Sequence, residues 1–326
     1  MKIYYTDQYV LPLPPGHRFP MRKYAALRER VAPMAGVRLD EPAAATVAEL
    51  TRVHDASYVA AVLDGTLDTA ALRRIGFPWS AAMVERSRRS TGATIAACRS
   101  AMQFGCGVNL AGGTHHAHAA FGEGFCVFND AAVAARTLQV EDGVGNVLIV
   151  DLDVHQGDGT AAIFADDASV FTMSLHGRGN FPFRKASSDF DVELEDGTAD
   201  RAYLATLAVA LPRALERAQP SLVIYLAGAD PFVGDRLGKL ALTKAGLRQR
   251  DDFVLDTLCR QRIPVAIAMA GGYAENIDDI VDIHLATVTA ALAHFAAPID
   301  VPRIPKPRIS PRMVPGVPPT GDNTAC

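Results

Sequence analysis

Short, continuous apolar runs alternate with longer stretches of helical periodicity along most of the chain. The apolar runs lie at 3–5, 108–110, 146–150, 170–175, 222–227 and 265–268. Runs without polar alternation are typical of strands covered on both faces of a parallel sheet. The pattern predicts an α/β, doubly wound domain, in which a mainly parallel central sheet lies between two helical layers (a three-layer α/β/α fold).

The longer stretches predict helices at 80–104, 130–138, 200–218, 244–262 and 277–294. Ser80 and Thr243 are suitable N-caps for two of them, since their hydroxyl oxygens can accept a bond from a free backbone N–H. Gly92 and Pro212 lie inside predicted helices, where both residue types are unfavourable. We therefore expect a bend or a split at each.

Composition narrows the function classes. Hydrophobic residues make up 49% of the 326 residues, which allows a large core. The net charge of −4 without a long basic block argues against nucleic-acid binding. Five scattered cysteines without a C-x-x-C pair, Cys126 among them, are typical of reduced, mostly buried thiols. With no signal-peptide pattern and no membrane-spanning apolar run, we expect a cytoplasmic protein that does not contact a membrane.

The last segment differs in composition from the rest. Eight prolines lie between Pro298 and Pro319, interspersed with basic residues. Such a segment is extended rather than helical. We therefore expect a single catalytic domain at 1–296 and a proline-rich, partly ordered tail without a catalytic role at 297–326. Packing on the body, contact with another subunit in an oligomer, and mobility all stay open for the tail.

Polar residues follow four of the predicted strands. In open α/β sheets, ligands bind beyond the carboxyl ends of the strands. The residues that reach this edge are His115, His116, Asp151, Asp153, His155, Asp230 and Tyr273. Polar residues at four separate strand ends would rarely meet at one edge by chance, and their convergence predicts a hydrolytic metal centre.

Asp153, His155 and Asp230 are the candidate metal ligands. Three protein ligands with an open fourth position are typical of a catalytic zinc site. Zn²⁺ is the first choice, and two oxygens with one nitrogen also suit Fe²⁺ or Mn²⁺.

The adjacent His115 and His116 are candidates for proton transfer. Hydrolysis at a metal needs a base for the attacking water and then an acid for the leaving group. A carboxylate that holds an imidazole fixes its tautomer and raises its basicity, and Asp151 and Asp158 are the candidates for this role.

Three further side chains complete the predicted pocket. The Tyr273 phenol follows two glycines and is a candidate donor to an oxyanion. Phe125 and Phe181 are candidate walls of an apolar slot for an extended aliphatic stem, with core packing as the alternative for each.

The ordered motifs resemble those of the zinc-dependent histone deacetylase superfamily, which shares the arginase-like fold. The resemblance runs from about residue 3 to residue 294. The motifs are Gly-Gly-Thr-His-His (112–116), Gly-Phe-Cys-Val-Phe-Asn-Asp (124–130), Asp-Leu-Asp-Val-His-Gln-Gly-Asp-Gly (151–159), Ser-Leu-His (174–176), Gly-Ala-Asp-Pro-Phe (228–232) and Gly-Gly-Tyr (271–273).

The resemblance implies a role for each matching position. It implies zinc ligation by Asp153, His155 and Asp230, and catalytic roles for His115, His116, Asp151, Asp158 and Tyr273. Substrate binding is implied for Gly124, Phe125, Phe181 and Gly272. A monovalent-cation site, usually for K⁺, is implied for Asp151, Ser174, Leu175 and the backbone of Asp153 and His155.

Several positions depart from the commonest pattern of the superfamily. Gln156 stands where many members have a second histidine, Thr114 replaces a frequent aromatic residue, and Ala270 replaces a glycine. Together with Phe77 and Arg86 in their local sequences, these positions resemble the class IV branch and its bacterial relatives. No catalytic position is lost, and an acyl group longer than acetyl becomes a candidate substrate.

The sequence therefore predicts a zinc-dependent amidohydrolase that removes an acetyl or longer acyl group from a lysine side chain of a protein or peptide. One alternative is a deacetylase for acetylpolyamines or other small acylated amines, with Glu123 as a candidate acidic residue at the rim. An arginase-like dimanganese hydrolase would need further bridging carboxylates that the sequence does not offer. The alternative from another class is a non-catalytic module that binds acyl-lysine.

Overall fold

The computed structural model describes residues 1–296, and the tail predicted at 297–326 lies outside them. The strands are β1 (Lys2–Tyr4), β2 (Arg38–Asp40), β3 (Cys106–Asn109), β4 (Val147–Asp151), β5 (Val170–Gly177), β6 (Phe190–Leu194), β7 (Leu222–Leu226) and β8 (Val265–Ala268). The helices are α1 (Arg22–Val31), α2 (Val47–Leu50), α3 (Ala56–Asp64), α4 (Thr69–Ile75), α5 (Ala81–Phe104), α6 (Asp130–Asp142), α7 (Asp158–Ile163), α8 (Asp200–Ala218), α9 (Lys244–Arg260) and α10 (Ile277–His294).

All strand pairs in the described sheet are parallel. The order of the eight strands is β2-β1-β3-β8-β7-β4-β5-β6. The carboxyl ends of the central strands β3, β8, β7 and β4 therefore lie side by side. The predicted mainly parallel sheet is confirmed.

The sheet separates two apolar cores. Along β4, Leu148 and Val150 pack into one core, whereas Val147 and Ile149 pack into the other, because successive side chains point to opposite faces. Helices α1, α8, α9 and α10 cover the first core, and α2–α6 cover the second. This arrangement confirms the three-layer α/β/α fold.

The prediction missed the edge strands β2 and β6 and the helices α1–α4 and α7. The side chains of β2 are half-buried or exposed, and most of those of β6 are too. They therefore lack the continuous apolar runs that mark the central strands. The missed helices are short, and their burial comes from contacts with distant parts of the chain.

The predicted caps are confirmed, but a split at Gly92 or Pro212 is wrong. Ser80 accepts a bond from the amide of Met83 at 3.1 Å. Thr243 caps α9 in the same way at 3.0 Å, and α5 and α8 each run as one helix.

The neighbours of Gly92 and Pro212 explain why both helices continue. A Cβ at Gly92 would lie 1.9 Å from the carbonyl oxygen of Ala43, so glycine permits a close chain crossing. Pro212 leaves the carbonyl of Ala208 without its helical donor, and Ala208 is exposed, so water can replace that bond.

Within residues 1–296, no helix combines the length and the apolar composition needed to span a bilayer.

Candidate active site

A cavity of about 490 Å³ opens at the carboxyl end of the central strands. The predicted site residues that line it are His115, His116, Gly124, Phe125, Asp153, His155, Phe181, Asp230 and Tyr273. The predicted residues that do not line it are Asp151, Asp158, Ser174, Leu175 and Gly272. The fold thus brings the residues of separate motifs together and leaves the predicted orienting carboxylates behind the histidines.

Asp153, His155 and Asp230 lie at the bottom of this cavity. Their ligand atoms lie within 4.8 Å of one another, and all three side chains are buried. His155 Nδ1 lies 3.0 Å from Asp153 Oδ1 and 3.3 Å from Asp230 Oδ2. Burial and the charge of Asp153 raise the pKa of Asp230 to about 7. Two buried carboxylates in contact with one imidazole form a donor set that a divalent cation would neutralise.

The surroundings of these residues also fit a metal ion. Apart from the 3.3 Å approach of His155 Nδ1, Asp230 Oδ2 is buried without a hydrogen-bond partner among the described residues. The other oxygen, Asp230 Oδ1, accepts a bond from the amide of Val154 at 2.9 Å, which fixes the carboxylate. A Cβ at Gly271 would lie 2.0 Å from Asp230 Oδ2, so glycine keeps this side of the cluster open.

The two adjacent histidines each contact a different carboxylate. His115 Nδ1 lies 2.6 Å from Asp151 Oδ2, and His116 Nδ1 lies 2.6 Å from Asp158 Oδ1. In both pairs the carboxylate accepts the Nδ1 proton, so Nε2 is the remaining nitrogen. The second oxygen of Asp158 lies 3.3 Å from Nε2 of His118, a contact that the sequence motifs did not predict.

The environments of the two histidines separate their pKa values. For His115, burial lowers the pKa, but the charges of Asp151 and Asp153 outweigh it and raise the pKa to about 9. For His116, burial and the neighbouring His115 lower the pKa to about 4, although Asp158 opposes the shift. His116 is therefore neutral near pH 7 and can accept a proton at Nε2.

Asp130 organises the turn before the histidines and is a residue that sequence reasoning missed. Its carboxylate accepts bonds from the amides of Gly113 and Thr114 at 3.1 and 2.7 Å. The hydroxyl of Thr114 also donates to Asp130 Oδ1 at 2.7 Å. This contact gives Thr114 a polar role that an aromatic residue at its position would not fill.

The Tyr273 loop is held by its backbone. The Tyr273 amide donates to Asp235 at 2.5 Å, and Arg236 Nε donates to the Tyr273 carbonyl at 2.9 Å. Lys23, which no motif marked, is buried and donates from Nζ to the carbonyls of Ala270 and Gly272, each at 3.3 Å. Burial raises the pKa of Tyr273 well above its usual value, so the phenol remains a donor.

Aromatic rings form the walls of the cavity. The Phe125 ring centroid lies 5.9 Å from that of Tyr273 and 5.3 Å from that of Phe77. The Phe181 ring also lines the cavity and meets the His116 ring edge to face, with centroids 4.9 Å apart. The buried Cys126 beside them has its pKa raised well above the usual value by burial, so it remains a neutral thiol.

Gln156 holds the loop that follows Phe181. Its amide nitrogen donates to the carbonyl of Ala186 at 2.9 Å and to Asp191 at 2.8 Å, and its oxygen accepts from the amide of Ala186 at 2.8 Å. A histidine at this position could not make all three bonds, because one neutral ring has a single donor and a single acceptor.

The residues of the predicted cation site lie on β4 and β5 or in the segment that follows β4. Asp151 of β4 pairs in register with Ser174 of β5, and Leu175 follows directly. Asp151 Oδ1 accepts a bond from the amide of Asp153 at 3.1 Å, while Oδ2 contacts His115.

Comparison with known proteins identifies the family to which this chain belongs. Residues 17–288 match the model of the histone deacetylase domain. The chain belongs to the histone deacetylase family. Membership supports a hydrolytic deacetylase, and it agrees with the fold and the buried acid and histidine cluster described above.

Relatives of this histone deacetylase family member occur in several kingdoms. It is 46% identical over 298 residues to an uncharacterised protein of a Picosynechococcus strain, covering 90% of this chain and 97% of that protein. Histone deacetylase 2 of Arabidopsis thaliana is 35% identical over 58% of this chain, and the alignment spans 50% of that relative. Polyamine deacetylase HDAC10 of Rattus norvegicus is 39% identical over 50% of this chain, and the alignment spans 30% of that relative.

The crystal structure of the HDA15 HD domain superposes on this histone deacetylase family member with a TM-score of 0.76. The two chains are 25% identical, and the match covers 91% of this chain and 92% of the other. The predicted deacetylase-like architecture is therefore confirmed.

Proposed function

We propose that this protein is a zinc-dependent amidohydrolase that removes an acetyl or longer acyl group from the side-chain amine of lysine. The observation that carries the proposal is the placement of two carboxylate-bound histidines beside the Asp153, His155 and Asp230 cluster, at the bottom of a cavity with aromatic walls. A cavity with aromatic walls suits a linear aliphatic stem that ends in an amide.

In this proposal, Asp153, His155 and Asp230 hold the ion. A bound divalent ion supplies Lewis acidity to the acyl carbonyl and makes water a better nucleophile at neutral pH. Fe²⁺ is an alternative occupant, because the donor set does not discriminate strongly between these metals. K⁺ is proposed at the carboxylate of Asp151, the hydroxyl of Ser174 and nearby backbone carbonyls.

His116 is proposed as the group that moves the proton. It is neutral near pH 7 and takes a proton from the attacking water at Nε2, while Asp158 holds Nδ1 and stabilises the resulting imidazolium. The same proton then passes from Nε2 to the departing lysine amine. His115, held at Nδ1 by Asp151, is proposed as the second histidine of the site.

Tyr273 and the aromatic walls are proposed to orient the substrate. The protonated phenol donates to the acyl oxygen as negative charge develops on it. Phe125 and Phe181 contact the aliphatic stem, exclude water and bring the amide to the histidines, and the backbone of Gly124 lies beside them. Gly272 is proposed to act through the loop geometry that places Tyr273.

Acetylpolyamine hydrolysis is the second candidate. Glu123 lines the cavity, and an acidic side chain there would attract a cationic substrate.

The decisive experiment is turnover of lysine peptides that carry acetyl, butyryl, octanoyl or myristoyl groups, alongside acetylspermidine, by the zinc-loaded enzyme. We expect one acyl-lysine peptide to be preferred. Tyr273→Phe should lower kcat by about 10²- to 10³-fold, as loss of an oxyanion donor does. His116→Ala should abolish turnover while zinc stays bound.

The possible outcomes separate the alternatives. Cleavage of acetylspermidine alone would assign the protein to polyamine chemistry. Binding of acyl-lysine peptides without any turnover, with zinc bound, would indicate the non-catalytic module. Near-normal turnover by Tyr273→Phe would remove the phenol from the mechanism.

A further inference from the structure

The catalytic cavity concentrates positive charge in a chain that is negative as a whole. Five lysine and arginine side chains line the cavity against three acidic ones, whereas the net charge of the chain is −4. Two of the three acidic residues are the proposed ligands Asp153 and Asp230, whose charge a divalent ion would offset. Glu123 is then the only other acidic residue among the described residues that line the cavity.

The cations at the cavity mouth are available to a ligand. Arg18, Arg74 and Lys239 line the cavity and are exposed. Lys239 lies 3.6 Å from Asp196, whereas Arg18 and Arg74 form no ion pair within residues 1–296. The mouth therefore keeps two guanidinium groups that make no direct ion pair among residues 1–296, although Arg74 lies near enough to Glu123 to lower its pKa.

Arg74 is also held in place beside the aromatic wall of the cavity. Its guanidinium lies 4.7 Å from the centroid of the Phe121 ring, and its carbonyl accepts a bond from the amide of Gly124 at 3.1 Å. Gly124 directly precedes Phe125, a ring of the cavity wall, so the backbone of Arg74 is held next to that wall.

Glu123 is outnumbered by the five cations that line the cavity. Burial and the neighbouring Asp158 raise its pKa, whereas His118 and Arg74 act in the opposite direction. Deeper in the cavity, the buried Lys23 and Arg86 add two further cations. Field lines from these charges converge in a low-dielectric cleft and favour the approach of anions.

A cationic polyamine would bring its ammonium groups against this mouth. The amide of an acyl-lysine is neutral, so the charge of a peptide substrate is set by the residues on either side of the lysine. Opposite charge across an interface raises the association rate and suppresses partners of like charge.

We propose that Arg18 and Arg74 select acyl-lysine within an acidic peptide sequence, by pairing with Asp or Glu side chains that flank the lysine. The planar guanidinium can bind a carboxylate with two parallel hydrogen bonds. Phe183 is 87% exposed and also lines the cavity, so it offers an apolar contact to the same peptide. This inference rests on the acyl-lysine hydrolysis proposed above.

The test uses three peptides of equal length in which the acylated lysine is flanked by Glu, Gln or Lys. We expect kcat/KM to fall in that order at low salt, by up to about fivefold for each step, which is the upper end for an exposed ion pair. The differences should shrink at about 1 M salt, where the screening length is about 3 Å.

Charge-reversal variants locate the effect. Arg74→Glu and Arg18→Glu should each reduce or reverse the preference for the Glu-flanked peptide. Arg213→Glu is the matched control, because Arg213 is exposed on α8 and does not line the cavity, yet its reversal changes the net charge equally. This control should keep the wild-type ratio, and melting temperatures should verify that all three variants fold.

Each outcome has one meaning. Cleavage of the Gln-flanked peptide reports on acyl-lysine hydrolysis itself, so its absence would overturn the proposed function. Equal kcat/KM for the three peptides, with the Gln-flanked peptide cleaved, would overturn only the selection by Arg18 and Arg74. Faster cleavage of acetylspermidine than of the Glu-flanked peptide would also overturn it.

Discussion

Arg250→Met should weaken zinc binding although Arg250 does not line the cavity. Arg250 lies on α9 with no exposed surface, and its Nη1 donates to the carbonyls of Gly228 at 2.6 Å and Leu152 at 3.3 Å. Leu152 directly precedes Asp153, and Gly228 lies two residues before Asp230. One guanidinium thus ties together the ends of β4 and β7, which carry two of the three proposed ligands.

The expected magnitude follows from these contacts. Arg250 pairs with the buried Asp251 at 2.8 Å, and removal of one partner of a buried pair costs about 3–5 kcal/mol. The lower end applies, since Asp251 keeps bonds from Tyr225 and Thr287, each at 2.6 Å. Loss of outer groups that orient ligands commonly weakens metal affinity by about 10- to 100-fold, and we expect this range for zinc.

Two assays on the same protein separate stability from positioning. Urea unfolding of the metal-free chain gives the free energy of unfolding, and competition with a chelator gives the Kd for zinc. The spectrum of the cobalt-substituted protein should also change in Arg250→Met, because it reports on ligand geometry.

Thr287→Val is the matched control. It removes one bond to Asp251, keeps the side-chain volume and leaves the carbonyls of Leu152 and Gly228 bound by Arg250. It should cost about 1.5–3 kcal/mol and leave the zinc Kd unchanged within about twofold. A destabilised Arg250→Met protein with wild-type zinc affinity and cobalt spectrum would refute the reasoning.

Two further predictions concern stability. Gly113→Ala should lower the free energy of unfolding by about 2–5 kcal/mol, because φ is +73° and the new Cβ would lie 2.3 Å from that of Ala270. Gly16→Ala, at φ +78° with open space around it, should cost only about 1–2 kcal/mol in urea titration, and equal losses would contradict the steric argument. His54 accepts a bond from the amide of Asn129 at 3.0 Å, and burial lowers its pKa from 6.5 to about 4. Because the unfolded chain therefore binds the proton more tightly than the folded chain, His54 should destabilise the fold as pH falls from about 6.5 towards 4, by up to about 3 kcal/mol. The variant His54→Gln should reduce this dependence of the free energy of unfolding on pH.

The sequence predicted the central strands and the long helices because their signals are local. β4, β7 and β8 are buried on both faces, so each is a continuous apolar run that needs no neighbour to be recognised. The edge strand β6 alternates apolar and polar residues and is half-buried, so only its pairing with β5 identifies it. The low helix propensity of glycine predicts a break at Gly92 in α5. In the folded protein the segment at 43–45 crosses α5 there, and only glycine leaves room for that close approach.

The sequence by itself determined which chemical groups this protein has at the ends of its strands. Residues such as Asp153 and His155 follow an apolar run directly, and period-two alternation places them on one side. Tertiary structure alone decided which distant groups meet them. Lys23 from α1, Asp130 from α6 and Arg250 from α9 reach the site through contacts separated by many residues, and no periodic pattern encodes such contacts. Their distances and the balance of charge at the cavity mouth exist only once the sheet and both helical layers are assembled.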